Sequence, residues 1–573
     1  MKARDNCINP EFNLEDIMVR PLPIGVQDFK KVRDEGYLYV DKSDLIPQML
    51  SQKSEVYQFT RPRRFGKSLN LSMLDAFFNL KYPKNNIWFD GLKVSDCREC
   101  EGHRNAYPVI YLDFKNLGVS NMKTFDSDLI DEMSNLFRNH KYLLDSEILD
   151  DVDKEYFDDV FRRKLDPITL RKSVSVLSRM LNEHHGRKVI ILIDEYDNPI
   201  HNVFGKTHHQ EILDSMRDIL SSALKGNDSL QFGVVTGVMQ IAKESIFSGL
   251  NNLEVNNVLS KDFDELFGFT DEELKAILEE YGHPERIDEA REWYDGYRFG
   301  DADVYNPWSL LNYVKSGFDP RPYWAGTSGN SIIETLLDKL DEKGLGELRS
   351  LSQGVPLVKA IDPAVTFTDL DQRTDSIYST MVLSGYLKAV PAGRNYEIGL
   401  PNGEMFSVFG DMFSRHLGER YGGDDVLAMM RDLTDALLFN DVQMVESSFS
   451  GLLKESVGSL MLDNEHVYQA FITGLLLHLS GRYRVSAEFE RGNGRYDIML
   501  ESRNPDRPHI VLEIKRSKSD TMVDDAARAL EQIVDRDYTF RLKGDAILYG
   551  IAFKGKEVKV LSERKCCNTP NLT

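Results

Sequence analysis

The stretch Thr60-Arg-Pro-Arg-Arg-Phe-Gly-Lys-Ser68 follows a short apolar run, Val56 to Phe59, and opens a helical pattern. That is the setting a phosphate-binding loop requires, because backbone N–H groups and a helix N-terminus together cradle phosphates. Lys67 would reach the β and γ phosphates and Ser68 would ligate Mg²⁺, with Gly66, Arg64 and Arg61 completing the loop. Arg61 stands where the usual pattern has its first glycine. Farther on, Val189-Ile-Ile-Leu-Ile-Asp-Glu195 is an apolar run ending in two carboxylates. Asp194 is expected to hold Mg²⁺ through water, and Glu195 to polarise the water that attacks the γ phosphate. A buried strand ending in an N-cap acid would explain Asp194 but gives no reason for Glu195. Thr236 closes the next apolar run, either as a γ-phosphate sensor or simply as a strand-ending threonine. Arg298, or an arginine from a neighbouring subunit, is a candidate side contact to the nucleotide.

A second constellation lies near the end of the chain. Arg495-Tyr-Asp497 and Glu513-Ile-Lys515 fall on two consecutive strand patterns, and a hairpin brings the two carboxylates together. Two hard oxygen ligands suit Mg²⁺ or Mn²⁺, and Lys515 shares a strand face with Glu513, where it can orient or deprotonate a water. This set supports metal-assisted phosphodiester hydrolysis. Glu465, Glu490 and Gln532 sit on flanking elements that converge on the same edge. E-x-K alone also describes an ordinary surface pair, so the surrounding order of elements carries the reading.

Those elements imply more than one domain, since 573 residues are about four times the ~150 typical of one. Buried-strand runs at Val56 to Phe59, Val109 to Leu112, Val189 to Ile193 and Phe232 to Val235 alternate with amphipathic helices, which predicts a parallel α/β sheet. A helical pattern from about Asp262 to Asp295 closes at Trp293 to Gly300 and reads as a lid. Residues 331–460 mix helices and short strands without evident chemistry. After 460 the order becomes αβββαβ, a separate small α/β domain. The expected divisions are therefore 17–260, 261–330, 331–460 and 461–562.

With 41% hydrophobic residues the chain has cores to bury. Acidic residues exceed basic ones for a net charge of −22, so nucleic acid can be met only at a local basic site, with Arg491, Arg495, Lys515, Arg516 and Lys518 as candidates. No signal-peptide core and no membrane-length apolar run is visible, which predicts a cytoplasmic protein without membrane contact. Five cysteines are too few for a disulfide framework, so reduced thiols are expected. Cys97, Cys100 and His103 form a C-x2-C-x2-H cluster, but no second ligand pair follows at zinc-finger spacing.

Together, Pro21-Leu-Pro-Ile-Gly25, Tyr37-Leu-Tyr-Val-Asp-Lys42, Arg61 to Ser68, Asp194-Glu-Tyr-Asp197, Thr236-Gly237, Ser248-Gly-Leu-Asn-Asn252 and Tyr305-Asn-Pro-Trp-Ser309 resemble bacterial AAA-ATPase-like proteins fused to a PD-(D/E)xK nuclease domain. The resemblance spans about 17 to 560. It implies a P-loop NTPase sheet with a helical lid and a C-terminal restriction-endonuclease-like domain, and it makes an arginine-rich phosphate loop the usual form. Asp497, Glu513 and Lys515 then match the D, E and K of the nuclease motif, Glu465 the helix acid and Gln532 the later polar residue. Gln240 departs from the arginine expected after Thr-Gly-Val. The resulting expectation is an Mg²⁺-dependent ATPase coupled to a DNA nuclease, in a chain that can form homo-oligomers. The alternatives are a nucleotide-switch scaffold of a defence or mobile-element system whose nuclease-like domain binds DNA or protein without cutting, and a purely structural protein.

Overall fold

A computed structural model describes residues 19–239, 253–324 and, within 340–567, all but 341, 353, 366–375, 410–411, 413–422, 457–471, 473–475, 477–478, 480–482, 492–493, 505–506, 518–520 and 541. The expectations placed on Gln240, on Ser248 to Asn252, on Glu465 and on Lys518 lie outside the described residues.

The first sheet has five parallel strands: β1 (Val56–Thr60), β2 (Val109–Asp113), β3 (Val189–Asp194), β4 (Leu230–Gly237) and β5 (Leu253–Asn256). Their spatial order is β2-β3-β4-β1-β5. Every side chain of β1 and β3 is buried, as runs of Val, Ile, Leu and Phe covered on both faces must be. Each such residue contributes roughly 1.5–3 kcal/mol by leaving water. Helix α1 (Lys67–Phe78) follows β1 directly and buries Leu71, Met73, Leu74 and Phe77 against the sheet. Strand β5 is one the apolar runs did not announce. Strand β4 lies between β1 and β3, so the two nucleotide motifs are not on neighbouring strands.

The stretch expected to form a lid comprises α2 (Asp271–Glu280), α3 (Ile287–Tyr294), a small hairpin of β6 (Tyr297–Phe299) and β7 (Ala302–Val304), and α4 (Pro307–Lys315). A reciprocal capping box between Thr270 and Glu273 starts α2, and Asn306 caps α4 ahead of Pro307. Beyond it, β8 (Leu357–Lys359), β9 (Lys388–Ala392) and β10 (Asn395–Gly399) form an antiparallel sheet. One apolar core takes in the parallel sheet, the β6–β7 hairpin and the antiparallel sheet, from Phe29 to Met412, while α2, α3 and α4 pack in a smaller cluster of their own with Leu38, Phe269 and Tyr305.

A second core joins helices α5 (Gly423–Phe439) and α6 (Val442–Ser456) to the last sheet. That sheet orders β11 (Tyr483–Arg491), β12 (Gly494–Ser502), β13 (His509–Arg516), β14 (Gly544–Lys554) and β15 (Glu557–Cys567) consecutively, with helix α7 (Met522–Asp535) crossing between β13 and β14. The β13–β14 pair is parallel and the others antiparallel. The three strands, the helix and the fourth strand match the expected order, and β15 adds an edge. Within residues 331–460 the apolar contacts thus divide between Met412 and Met430. Among the described residues no helix is long and apolar enough to cross a membrane.

The expectation of reduced thiols is corrected at one place. Cys97 and Cys100 are joined as a disulfide, since one helical turn brings their Cα atoms to 5.3 Å. His103 turns away from them, its Nδ1 bonded to the Tyr107 hydroxyl at 2.7 Å.

Candidate active sites

A cavity of about 620 Å³ opens at the carboxyl ends of β1, β2 and β3. Arg63 to Asn70, Lys115, Asn116, Glu195, Asn198 and His201 form its polar side, and Ile24, Val26, Leu38, Phe269 and Trp308 its apolar side. Ligands of open α/β sheets bind at this end because helix N-termini and loop amides point there. Gly66 caps α1 with φ 79°, and Arg64 two residues earlier has φ 71°, so the loop curls through two left-handed residues, the kind of backbone that forms anion-binding concavities.

Lys67 is buried, and its Nζ donates to the carbonyls of Arg61 at 2.9 Å and Pro62 at 3.0 Å. Burial lowers its pKa, while the charges of Glu195, Asp197 and Asp194 oppose that shift. Glu195 has φ 50°, a left-handed backbone that a bulky residue adopts only when its surroundings impose it. Burial raises its pKa, partly offset by Lys67. Asp194 is buried, and its Oδ1 accepts from the Glu195 amide at 3.0 Å and from the Thr236 hydroxyl. Thr236 therefore anchors Asp194 and is not among the cavity-lining residues. Ser68 lines the cavity. An aspartate held this way and a serine hydroxyl at the helix start are the donor types that suit a phosphate-bound Mg²⁺.

Two placements correct the expectations. Arg61 does not line the cavity. Its Nη1 donates to the carbonyls of Thr60 at 3.0 Å and Asn256 at 2.7 Å, and its guanidinium lies on Phe267 and Phe299. Standing at the last turn of chain before the loop, it faces β5 and the lid rather than phosphate. Arg298 is held by Asp303 at 3.2 Å and by Asp301, in the β6–β7 hairpin, and is likewise absent from the cavity wall.

Residues the motif reasoning passed over also build this site. Asp197 is fully buried; its Oδ2 accepts from the amides of Val238 and Met239 at 2.8 and 2.9 Å and pairs with His201 Nε2 at 2.8 Å. Burial works against its charge, but His201 and those amides outweigh it and hold the pKa low. Gly237 is required here, because a Cβ would come within 2.5 Å of Tyr196 and 2.6 Å of Asp197. Asp197 was marked in the sequence only as the last residue of the Asp194-Glu-Tyr-Asp197 stretch, with no role attached to it.

In the last sheet, the β12–β13 register passes through Ile498 opposite Leu512, so the next pair outward is Asp497 and Glu513. Asp497 Oδ2 accepts from the Ile514 amide at 2.6 Å. Glu513 Oε1 accepts from Lys515 Nζ at 3.0 Å and from Gln532 Nε2, and Gln532 also bonds the Tyr538 hydroxyl at 3.1 Å. Glu513 Oε2 is buried without a hydrogen-bond partner. Burial, then the neighbouring Asp497 charge, pushes the Glu513 pKa up to about 7 against the opposing pull of Lys515. A buried, unsatisfied carboxylate oxygen beside a second carboxylate fits a divalent cation. Among the described residues no group of three or more His, Cys, Asp and Glu side chains could hold a metal ion, so water and phosphate oxygens would complete the shell. Helix α7 reaches this site because β14 offers Gly550, where a Cβ would meet the Ala526 carbonyl at 2.2 Å. Glu490 and Arg495 stand at opposite register positions of β11 and β12. Tyr538 is the addition that motif reasoning missed.

Comparison with known proteins agrees with this arrangement. Residues 23–247 match a family model described as a predicted AAA-ATPase, and residues 463–563 match one of the PD-(D/E)XK nuclease superfamily. The chain is also similar to an uncharacterized protein in the vnfD 5′ region of Azotobacter chroococcum mcd 1, 27% identical over 554 residues, which are 93% of this chain and 96% of that protein. The chain thus carries an AAA-ATPase-like domain followed by a domain of the PD-(D/E)XK nuclease superfamily.

Proposed function

We propose that the first domain hydrolyses ATP and that this cycle governs a divalent-metal-dependent DNA nuclease in the last. The observation that carries the reading is a recurring pair of parts. In each domain a lysine lies within electrostatic reach of carboxylates carried on or directly after interior strands of the sheet: Lys67 with Glu195 and Asp194, and Lys515 with Glu513, which also feels Asp497. In the first, Lys67 and the loop amides would bind the phosphates, and Glu195 would orient the attacking water. In the second, Asp497 and Glu513 would hold Mg²⁺ or Mn²⁺, with Lys515 placed to orient the water and Gln532 fixing Glu513. A bound cation there supplies a Lewis acid for the phosphodiester oxygens.

The DNA path would be local and basic, because the chain as a whole repels phosphate. Arg516, at the end of β13 and next to Lys515, is one candidate for it. The test is cleavage of labelled linear, circular and single-stranded DNA with Mg²⁺ or Mn²⁺, with and without ATP. Lys515→Ala should abolish cutting, and Lys67→Ala should abolish phosphate release from ATP. ATP hydrolysis that survives Lys67→Ala would refute the first half, and absence of cutting under every condition would refute the second. In that second case the nucleotide-switch scaffold would remain.

A further inference from the structure

Arg61 and Arg64 of the phosphate loop have separate surroundings. Arg61 is spent on carbonyls and aromatic rings inside the core. Arg64 lines the cavity, and among the described residues it makes no hydrogen bond and no ion pair. Its guanidinium lies 4.3 Å from the ring centre of Trp308, the second residue of α4. Trp308 is itself fixed, its Nε1 donating to the Tyr323 carbonyl at 3.2 Å and its amide to the Asn306 side chain at 2.9 Å. The Arg64 backbone is held in the left-handed region, and so is that of Glu195, which also lines the cavity. Such strain persists only where the surroundings over-determine it. Five unused N–H donors on a ring-stacked guanidinium at the mouth of a phosphate loop are a preformed site for anionic charge.

We infer that Arg64 supplies, from within the phosphate loop itself, the charge that stabilises the γ-phosphoryl group during ATP hydrolysis, and that Trp308 of the lid is its positioning residue. The inference rests on the ATPase reading above. In the step it serves, the water oxygen bonds to the γ phosphorus while the bond from that phosphorus to the β,γ-bridging oxygen breaks. The electron pair leaves with ADP, and the water's proton passes by way of Glu195 to solvent. Arg64 donates to the γ oxygens and the departing bridge oxygen, where negative charge grows. A neighbouring subunit's arginine is then not needed to complete the site. The lid enters catalysis through the Trp308 ring: closed, it aims Arg64; displaced, it releases a flexible side chain.

The experiment measures ATP affinity with a fluorescent ATP analogue and turnover by phosphate release, on the full chain. Arg64→Ala should lower kcat by about 100-fold or more, within the range found for transition-state arginines, with Kd changed less than about threefold. Arg64→Lys should be partly active, Trp308→Phe nearly normal, and Trp308→Ala about tenfold slower. Adding Trp308→Ala to Arg64→Ala should cost nothing further, the signature of one residue acting through the other. Mixing Arg64→Ala with Lys67→Ala should restore no turnover, and turnover per chain should not depend on protein concentration. Recovery of turnover in the mixture would show that Arg64 acts on a neighbour and overturn the inference. So would unchanged kcat in Arg64→Ala, or additive losses in the double variant. Failure of the wild-type chain to bind the analogue or to hydrolyse ATP would instead overturn the ATPase reading itself, and the inference with it.

Discussion

Glu404 is fully buried, with Oε1 accepting from the Ser309 hydroxyl at 2.9 Å and the Trp324 amide at 2.7 Å, and Oε2 without a partner. Burial dominates those two bonds and pushes its pKa from 4.5 up to about 8. The titratable groups that feel it are Tyr294, Tyr297 and Tyr323, all neutral in this range. In the unfolded chain the carboxyl loses its proton near its ordinary value, so between the two values the folded state binds more protons than the unfolded one. Stability attributable to this group therefore falls as pH rises, by about 1.4 kcal/mol per unit, and reaches a cost of ~3 kcal/mol at pH 7. Glu404→Gln removes the proton and keeps the acceptor. The variant should gain on the wild type steadily from pH 5 to pH 7.5, whatever constant penalty its unpartnered amide imposes. All four tryptophans, Trp88, Trp293, Trp308 and Trp324, lie in the first 324 residues, so fluorescence-monitored urea unfolding reports on the right part of the chain. A variant-minus-wild-type difference that stays flat across that range would refute the reasoning.

Arg61→Ala should destabilise the same fluorescence transition by roughly 3 kcal/mol, since it opens a hole beneath Phe267 and Phe299 and orphans the Asn256 carbonyl, while analogue affinity of the folded protein stays within about twofold. A selective loss of affinity without loss of stability would count against it. Gly550→Ala must push α7 off β14, taking Gln532 from Glu513; proteolysis of the last domain should become faster and DNA cleavage should drop about tenfold or more. Arg503, at the end of the β12 turn, is ion-paired with Glu292 of α3. Arg503→Met should leave ATP turnover and ATP-free cleavage within about twofold while weakening any effect of ATP on cleavage, and an undiminished ATP effect would rule out this contact as the link.

The parallel sheet was legible because its strands are apolar on both faces, a pattern a surface strand cannot afford. Strand β5, Leu-Glu-Val-Asn, was not, because it is an edge strand of four residues with one buried side chain. Strand β15 escaped for a similar reason: Glu, Lys, Arg and Ser punctuate it, and only its pairing with β14 over Gly544 to Lys554 makes it a strand. The association of α5 and α6 with the last sheet was invisible as well. Their apolar faces announce that they pack, but nothing in 423–456 says against which core.

The arginines of the phosphate loop show where a motif stops being informative. Lys67 and Ser68 could be placed together at the loop from spacing, and both line the cavity, because their positions are set within one turn of α1 and the loop before it. Arg61 and Arg64 stand three residues apart in the same loop and carry the same group, yet their environments come from segments about 200 or more residues away: Asn256, Phe267 and Phe299 for one, Trp308 for the other. Backbone conformation separates them, since Arg64 takes φ 71° and so leaves the path that carries Arg61 into the core. No local rule would have put a left-handed residue at Arg64 in preference to a glycine. The nuclease edge was easier, because Asp497 and Glu513 are brought together by adjacent strands of one hairpin, and Gln532 by the helix that follows directly. A site is readable from sequence to the extent that its parts are positioned by neighbours along the chain, and the charge placed by the lid at Trp308 lies beyond that reach.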